Sequence, residues 1–195
     1  DRSLRTIAGR LVRELDRNLP DRKGYEKMFE LFYKVLSQKR NSPDKIYSLH
    51  EPEVQCIGKG KEHKKYEFGN KASFIRSFSG IILAAVSFRN EYDGHTIEAT
   101  LQQMERMTGR CIDNLAGDRG YRGIKQVGTT KILIPESPKH KDGYYQKKKK
   151  HKLFCKRVGI EPTIGHLKSD YRLSRNFYKG VKGDAMNIML AAAAY

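Results

Sequence analysis

Ile81, Ile82, Leu83, Ala84, Ala85 and Val86 form an unbroken apolar run, opened by Gly80 and closed by Phe88. Successive side chains of a strand point to opposite faces. A strand that is apolar at every position is therefore one buried on both faces. Helical patterns elsewhere supply the cover. Ile97, Leu101 and Met104 recur at helical spacing over residues 94–108, with Gly109 as the C-terminal stop. A last apolar helix runs from Asp184 through Met186, Met189 and Leu190 into the alanines. Strands are expected over 112–116, ending at Asp118, and over 131–134, closed by Pro135. Together these elements predict an α/β fold, a mixed sheet flanked by helices.

The first 44 residues have a different period. Leu4, Ile7, Leu11 and Leu15 lie at helical spacing over 3–18, and Pro20 ends that helix. Asp21 is placed to cap a second helix over 22–39, with Tyr25, Met28, Phe29, Phe32, Val35 and Leu36 on one face. This is a helical hairpin expected to pack on a core. From Tyr47 the pattern becomes extended. A short run at 54–57 precedes the basic turn Gly58-Lys59-Gly60-Lys61. Residues 66–75 alternate, with Tyr66, Phe68, Ala72 and Phe74 on one parity, and turns are expected at 60–65 and 78–80. The domain boundaries drawn from this are 1–44 for the hairpin and 45–195 for the core.

Charge narrows the function. Thirty-nine Lys and Arg stand against 22 Asp and Glu, a net charge of +17. Such a chain is drawn to phosphate backbones, with affinity that falls as salt rises; an anionic membrane surface would attract it too. No apolar run approaches the roughly 18 residues of a membrane span, and no segment reads as a signal peptide. Cys56, Cys111 and Cys155 are odd in number and lack any Cys-x-x-Cys, which argues against a zinc or disulfide framework and fits a reducing compartment. His50, His63, His95, His140, His151 and His166 form no metal-binding pair. No nucleotide-binding phosphate loop and no Gly-x-Ser-x-Gly occurs, so no nucleotide cofactor is expected. The chain opens at Asp1 and stops within an Ala-rich apolar segment, which reads as a piece of something longer.

Two carboxylates stand out in this basic background. Glu161 lies in Phe154-Cys-Lys-Arg157-Val-Gly-Ile-Glu161-Pro-Thr-Ile-Gly-His-Leu-Lys168, and Asp118 in Gly117-Asp118-Arg119-Gly120-Tyr121. Arg157, Glu161 and Lys168 have the spacing of one helical stripe. A salt-bridged helix surface gives the same pattern, and a turn-capping Asp gives the second. Pro162 disfavours a helical conformation at Glu161 and Gly159 weakens the turn before it, so the helix starts near Glu161 or kinks there. Phosphodiester chemistry needs hard-oxygen ligands for divalent ions, and carboxylates on rigid elements provide them. A basic segment, with Lys139, Lys141, Lys147, Lys148, Lys149, Lys150, Lys152 and Lys156, leads into Arg157. Lys59, Lys61, Lys64 and Lys65 form another. Tyr144, Tyr145 and Phe154 are interleaved with the first and are candidates to stack on unpaired bases. Residues 136–150 read as a polar loop.

With these motifs in hand, the chain resembles the DDE transposases of bacterial insertion sequences. The spacing Tyr, two residues, Arg, three residues, Glu, six residues, Lys of one branch is matched at Phe154, Arg157, Glu161 and Lys168, with Phe in place of Tyr. Leu49-His-Glu-Pro-Glu53, Gly58-Lys-Gly-Lys61, Tyr66-Glu-Phe-Gly69 and Gly165-His-Leu-Lys168 resemble the same branch. The resemblance covers roughly 45–195 and implies an RNase H-like core, with the hairpin inserted between its first two strands. It implies that Asp118 and Glu161 are catalytic and hold Mg²⁺ or Mn²⁺, and that the first catalytic Asp lies upstream of Asp1. It implies phosphate contacts from Arg157 and Lys168. Arg119, Tyr121, Phe154, His166 and the run Lys147, Lys148, Lys149 and Lys150 are further DNA-contact candidates. The implied partner is double-stranded DNA, both transposon ends and target, with a homodimer on paired ends and a bacterial cytoplasmic, nucleoid-associated setting. The implied reaction is hydrolysis at the element's ends followed by strand transfer. A nuclease of the same fold, or a transposase remnant that only binds DNA, are the alternatives.

Overall fold

A computed structural model of the chain describes residues 2–58, 65–89 and 91–195, and the basic turn with Lys59, Gly60, Lys61, His63 and Lys64 lies outside them. The chain divides into two compact units, 1–69 and 70–195. That division falls later than the boundary at 44 drawn from the sequence. Within the first unit the hairpin is tied to the segment after it, because Gln38 Nε2 donates to the Ile46 carbonyl and Gln38 Oε1 accepts the Ile46 N–H, each at 3.0 Å.

In the first unit α1 (Arg2–Asn18) and α2 (Glu26–Ser37) are two helices packed against each other. Phe29 is their buried centre, edge-on to Phe32 at 6.3 Å. The leucine stripe does not pack as expected: Leu4, Ile7, Leu11 and Leu15 are 45–66% exposed. The buried side of α1 holds Gly9, half a helical turn away from the stripe, where a Cβ would stand 4.0 Å from Leu36 Cδ1. α2 thus approaches α1 over its glycine and leaves the leucines outside. Asp21 caps a turn rather than α2: its Oδ1 accepts the Lys23 N–H at 2.9 Å, and α2 starts at Glu26 without a side-chain cap. β1 (Cys56–Gly58) and β2 (Tyr66–Phe68) pair antiparallel, and the Tyr47 ring lies 5.3 Å from that of Phe68.

The second unit holds the core. The 66–75 segment breaks at Gly69, whose φ of 139° suits glycine, so β3 (Lys71–Arg76) is a separate strand paired antiparallel with β4 (Ile82–Phe88). In β3 the parity is opposite to expectation: Ile75 is buried and Ala72 exposed. β4 behaves as its apolar run requires. Adjacent Ala84 and Ala85 are both buried, and the strand touches both α3 (Asp93–Thr108) and α6 (Gly180–Ala194). Ala84 joins Ile75, Ile97, Leu101, Met104 and Ile132 in one cluster. Gly109, at φ 66°, ends α3 as expected, its N–H donating to the Glu105 carbonyl at 2.8 Å.

A single mixed sheet does not form among the described residues. β5 (Asn114–Ala116) pairs parallel with β7 (Thr130–Leu133), and β6 (Gln126–Val127) pairs antiparallel with β7. These make a third small sheet, separate from β3–β4. The Ala85 N–H is taken by the Gln103 side chain of α3 at 2.7 Å, so a side chain and not a strand satisfies β4 there. The chain is a mixed α/β structure of helices and small sheets. No helix among the described residues is long and apolar enough to cross a membrane.

α6 starts at Gly180, four residues before the start expected from the sequence, and its Gly183 is pressed against Tyr178. A Cβ there would lie 2.7 Å from Tyr178 Cβ and 2.9 Å from its carbonyl carbon. Gly183→Ala is therefore expected to destabilise the protein by about 1–3 kcal/mol, the cost of overpacking against backbone that cannot swing aside. Urea unfolding of the variant measures it; an unchanged midpoint would show that the contact relaxes freely.

Candidate active site

The parallel ladder of β5 runs one residue past the strand, with the Gly117 N–H donating to the Leu133 carbonyl at 3.0 Å. Asp118 comes next, extended at φ −81° and ψ 170°. Its Oδ1 accepts the Arg119 N–H at 2.6 Å and so caps a 3₁₀ turn, Arg119–Tyr121. The turn is pinned beneath by a glycine: a Cβ on Gly120 would meet Asp93 Oδ2 at 2.7 Å. Asp93 is the first residue of α3 and pairs with Lys71 at 3.0 Å.

The opposite wall is helical. α4 (Tyr144–Val158) begins well inside the stretch expected to be a loop. The Gly143 N–H donates to Gln146 Oε1 at 3.3 Å and the Gly143 carbonyl accepts the Lys147 N–H at 3.0 Å, which starts the helix. Gly159 interrupts it, and α5 (Ile160–Ser169) comes after the break, as Pro162 and Gly159 lead one to expect. Thr163 and Leu167 are the buried face of α5, 1% and 0% exposed. Glu161, Gly165 and Lys168 lie on the opposite, exposed face.

Arg157 joins the two walls. From the last turn of α4 its Nη2 donates to Glu161 Oε1 at 2.6 Å and its Nη1 to Asp118 Oδ1 at 3.4 Å. Its side chain is only 19% exposed, while those of Asp118 and Glu161 are 66% and 58% exposed. Both sequence-predicted carboxylates thus converge on one cation with most of their surface open. Carboxylate oxygens are hard donors, the kind taken one or two at a time by a divalent ion that keeps several waters. Among the described residues no group of three His, Cys, Asp or Glu gathers to hold a metal.

Beside this cluster is a cleft of about 390 Å³, whose walls include Asp118, Arg119, Ser137, His151, Phe154 and Arg157. Arg119 reaches Ser137 Oγ at 3.5 Å, and the Arg157 guanidinium stands 5.8 Å from the Phe154 ring. Tyr121 is turned inwards, against the core and under Gly117, where a Cβ would be 3.2 Å from its ring. His166 is not in the cleft; its Nδ1 lies 2.7 Å from Asp170 Oδ2. His151 takes that place. The spacing of His151, Phe154 and Arg157, three residues apart each time, is the signal that finds it once the segment is read as a helix. Lys168 is exposed, on the same face of α5 as Glu161.

The four-lysine run is divided by its helix. Lys147, Lys148 and Lys149 are exposed, whereas Lys150 Nζ bonds Asp142 Oδ2 at 2.8 Å and lies 3.7 Å from Glu136 Oε2. Asp142 Oδ2 also accepts the Lys139 N–H at 2.7 Å. These bonds, that to Lys150 first, hold the Asp142 carboxyl below the usual carboxylate range. A carboxyl with a lowered folded pKa stabilises the fold above its unfolded pKa and loses that contribution as pH falls through the folded value. The 136–143 segment is therefore expected to stay docked near neutrality and to loosen below a pH of about 4. Hydrogen exchange at the Lys139 amide, with Asp142→Asn as the control loosened at every pH, measures this; equal protection of both proteins at pH 6 would refute it.

A family model described as a transposase DDE domain matches residues 48–195. No curated protein and no solved structure matches the chain. The match spans most of the chain and includes Asp118, Arg157, Glu161 and Lys168, and the chain therefore belongs to the transposase DDE domain family.

Proposed function

We propose that the chain is part of a transposase of an insertion sequence, a protein that carries out metal-dependent hydrolysis of a phosphodiester at the element's end and then attack of the freed 3′-hydroxyl on target DNA. The observation that carries this is the convergence of Asp118 and Glu161 on Arg157, at 3.4 and 2.6 Å, in a chain of net charge +17. Asp118 and Glu161 would hold Mg²⁺ or Mn²⁺, which when bound neutralises charge at the leaving oxygen and activates the attacking one. Arg157 would hold the scissile phosphate once the carboxylates are otherwise engaged, because a guanidinium matches a phosphate in two-pronged geometry. Phe154 and Arg119 line the adjacent cleft where the strand would run. Lys147, Lys148, Lys149 and Lys168 are exposed cations for the flanking backbone. The core is read as RNase H-like by resemblance, and a homodimer on paired ends belongs to the same reading.

A strand-transfer assay on the full-length protein tests the proposal, with a labelled element end bearing a free 3′-hydroxyl and a plasmid target. Label joined to the plasmid in the presence of Mg²⁺ or Mn²⁺ is the expected result. Cutting without joining would replace transposition by nuclease action. Salt-sensitive binding with neither would leave a DNA-binding remnant.

A further inference from the structure

Arg76 has no counter-ion among the described residues. It sits at a register shift at the end of β3, and its Nε is buried without a hydrogen-bond partner. Two glycines make room for the guanidinium. A Cβ on Gly80 would lie 3.2 Å from Nη2, and one on Gly159 3.1 Å from Nη1. The charge is thus lodged between the β3–β4 turn and the α4–α5 junction, where Gly159 stands two residues from Arg157.

The same turn presents Phe78, which is 76% exposed. The turn is firmly built. The Ser77 N–H donates to the Ile81 carbonyl at 2.8 Å, the Gly80 N–H to the Ser77 carbonyl at 3.2 Å, and the Ile81 N–H to Ser77 Oγ at 3.0 Å. From α4, Lys156 Nζ stands 4.2 Å from the centre of the Phe78 ring. One ring face is covered by a cation, yet most of the residue stays exposed.

A guanidinium hydrogen buried without an acceptor is costly, and an exposed ring on a fixed turn gains nothing from folding. A ligand that brings an anion balances the Arg76 charge, and one that also brings a flat apolar face covers the ring. A nucleotide has both, but within a duplex its base faces are covered by neighbours. Only an unstacked base can lie on the ring. We propose that Phe78, Lys156 and Arg76 bind an unpaired nucleotide of a DNA strand crossing the α4–α5 junction. Phe78 takes the base face, and Arg76 and Lys156 take the flanking phosphates. The proposal rests on the transposase reading for its polymer, and it adds a strand-separated segment next to Asp118 and Glu161.

Fluorescence anisotropy of the full-length protein with a plain duplex, and with the same duplex carrying unpaired ends, tests it. The wild type is expected to prefer the DNA with unpaired ends. Phe78→Ala should weaken that complex about 5- to 150-fold, the worth of one stacked base, and leave duplex affinity unchanged. Phe78→Trp should restore the preference. Lys156→Ala should lower the dependence of log affinity on log salt by about 0.7 for the unpaired segment. Equal weakening of both DNAs, or a preference that survives Phe78→Ala, would overturn the proposal. Strand transfer by the wild type is read separately, so its failure and the failure of this site are distinguishable.

Discussion

Glu161→Gln in the full-length protein is expected to lower metal-dependent nicking of element ends by at least about a hundredfold, the scale on which loss of one charge-stabilising group is felt. The substitution keeps size and removes the charge that a hard cation needs. Its structural cost is small. Glu161 is 58% exposed, the Gln carbonyl can still accept from the Arg157 guanidinium, and Arg157 keeps Asp118 as its counter-ion at 3.4 Å. DNA affinity should hold or rise slightly, because one negative charge leaves a basic surface. Activity and stability therefore separate. Nicking at the wild-type rate with an intact fold would return Glu161 to a surface ion pair and remove the site assignment. Asp118→Asn is expected to behave alike, with one difference. Its Oδ1 also caps the Arg119 turn, a bond the Asn carbonyl retains.

Leu167→Ala is expected to have the largest effect on stability, a loss of about 2–5 kcal/mol, as truncation of a fully buried leucine leaves a cavity. Leu167 is 0% exposed and, with Thr163, forms the buried face of the helix that carries Glu161. The urea midpoint should fall by about 1–2.5 M for a slope of about 2 kcal/mol per M. Because the same residue seats α5, nicking should fall too, even in the folded population. A midpoint shift below about 0.5 M would mean that α5 is held elsewhere and that the cavity collapses.

Much of this is legible in the residues. Ile97, Leu101 and Met104 face the core and Gly109 stops their helix, because a 3.6-residue period and a left-handed glycine are local properties. The break before Glu161 is legible for the same reason, since proline and glycine act on their own backbone. The helix from Tyr144 to Val158 is not. Its lysines carry no apolar period, and the start depends on the Gly143–Gln146 bond and on Lys150 meeting Asp142 and Glu136. The stripe Leu4, Ile7, Leu11, Leu15 has a clear period yet stays outside, because periodicity says which residues share a face and not which face is covered.

By itself the sequence determined the charge, the two acidic landmarks and the family that they belong to, for these rest on residue identity and spacing along the chain. Only the tertiary structure decided that Asp118 and Glu161 share the guanidinium of Arg157. It also placed His151 rather than His166 in the cleft, and brought Phe78 to Lys156. The physical reason is distance. Hydrogen bonds and cation–ring contacts act over a few ångströms, between groups that local periodicity cannot bring together. A strand end reaches a helix end only once packing has fixed both.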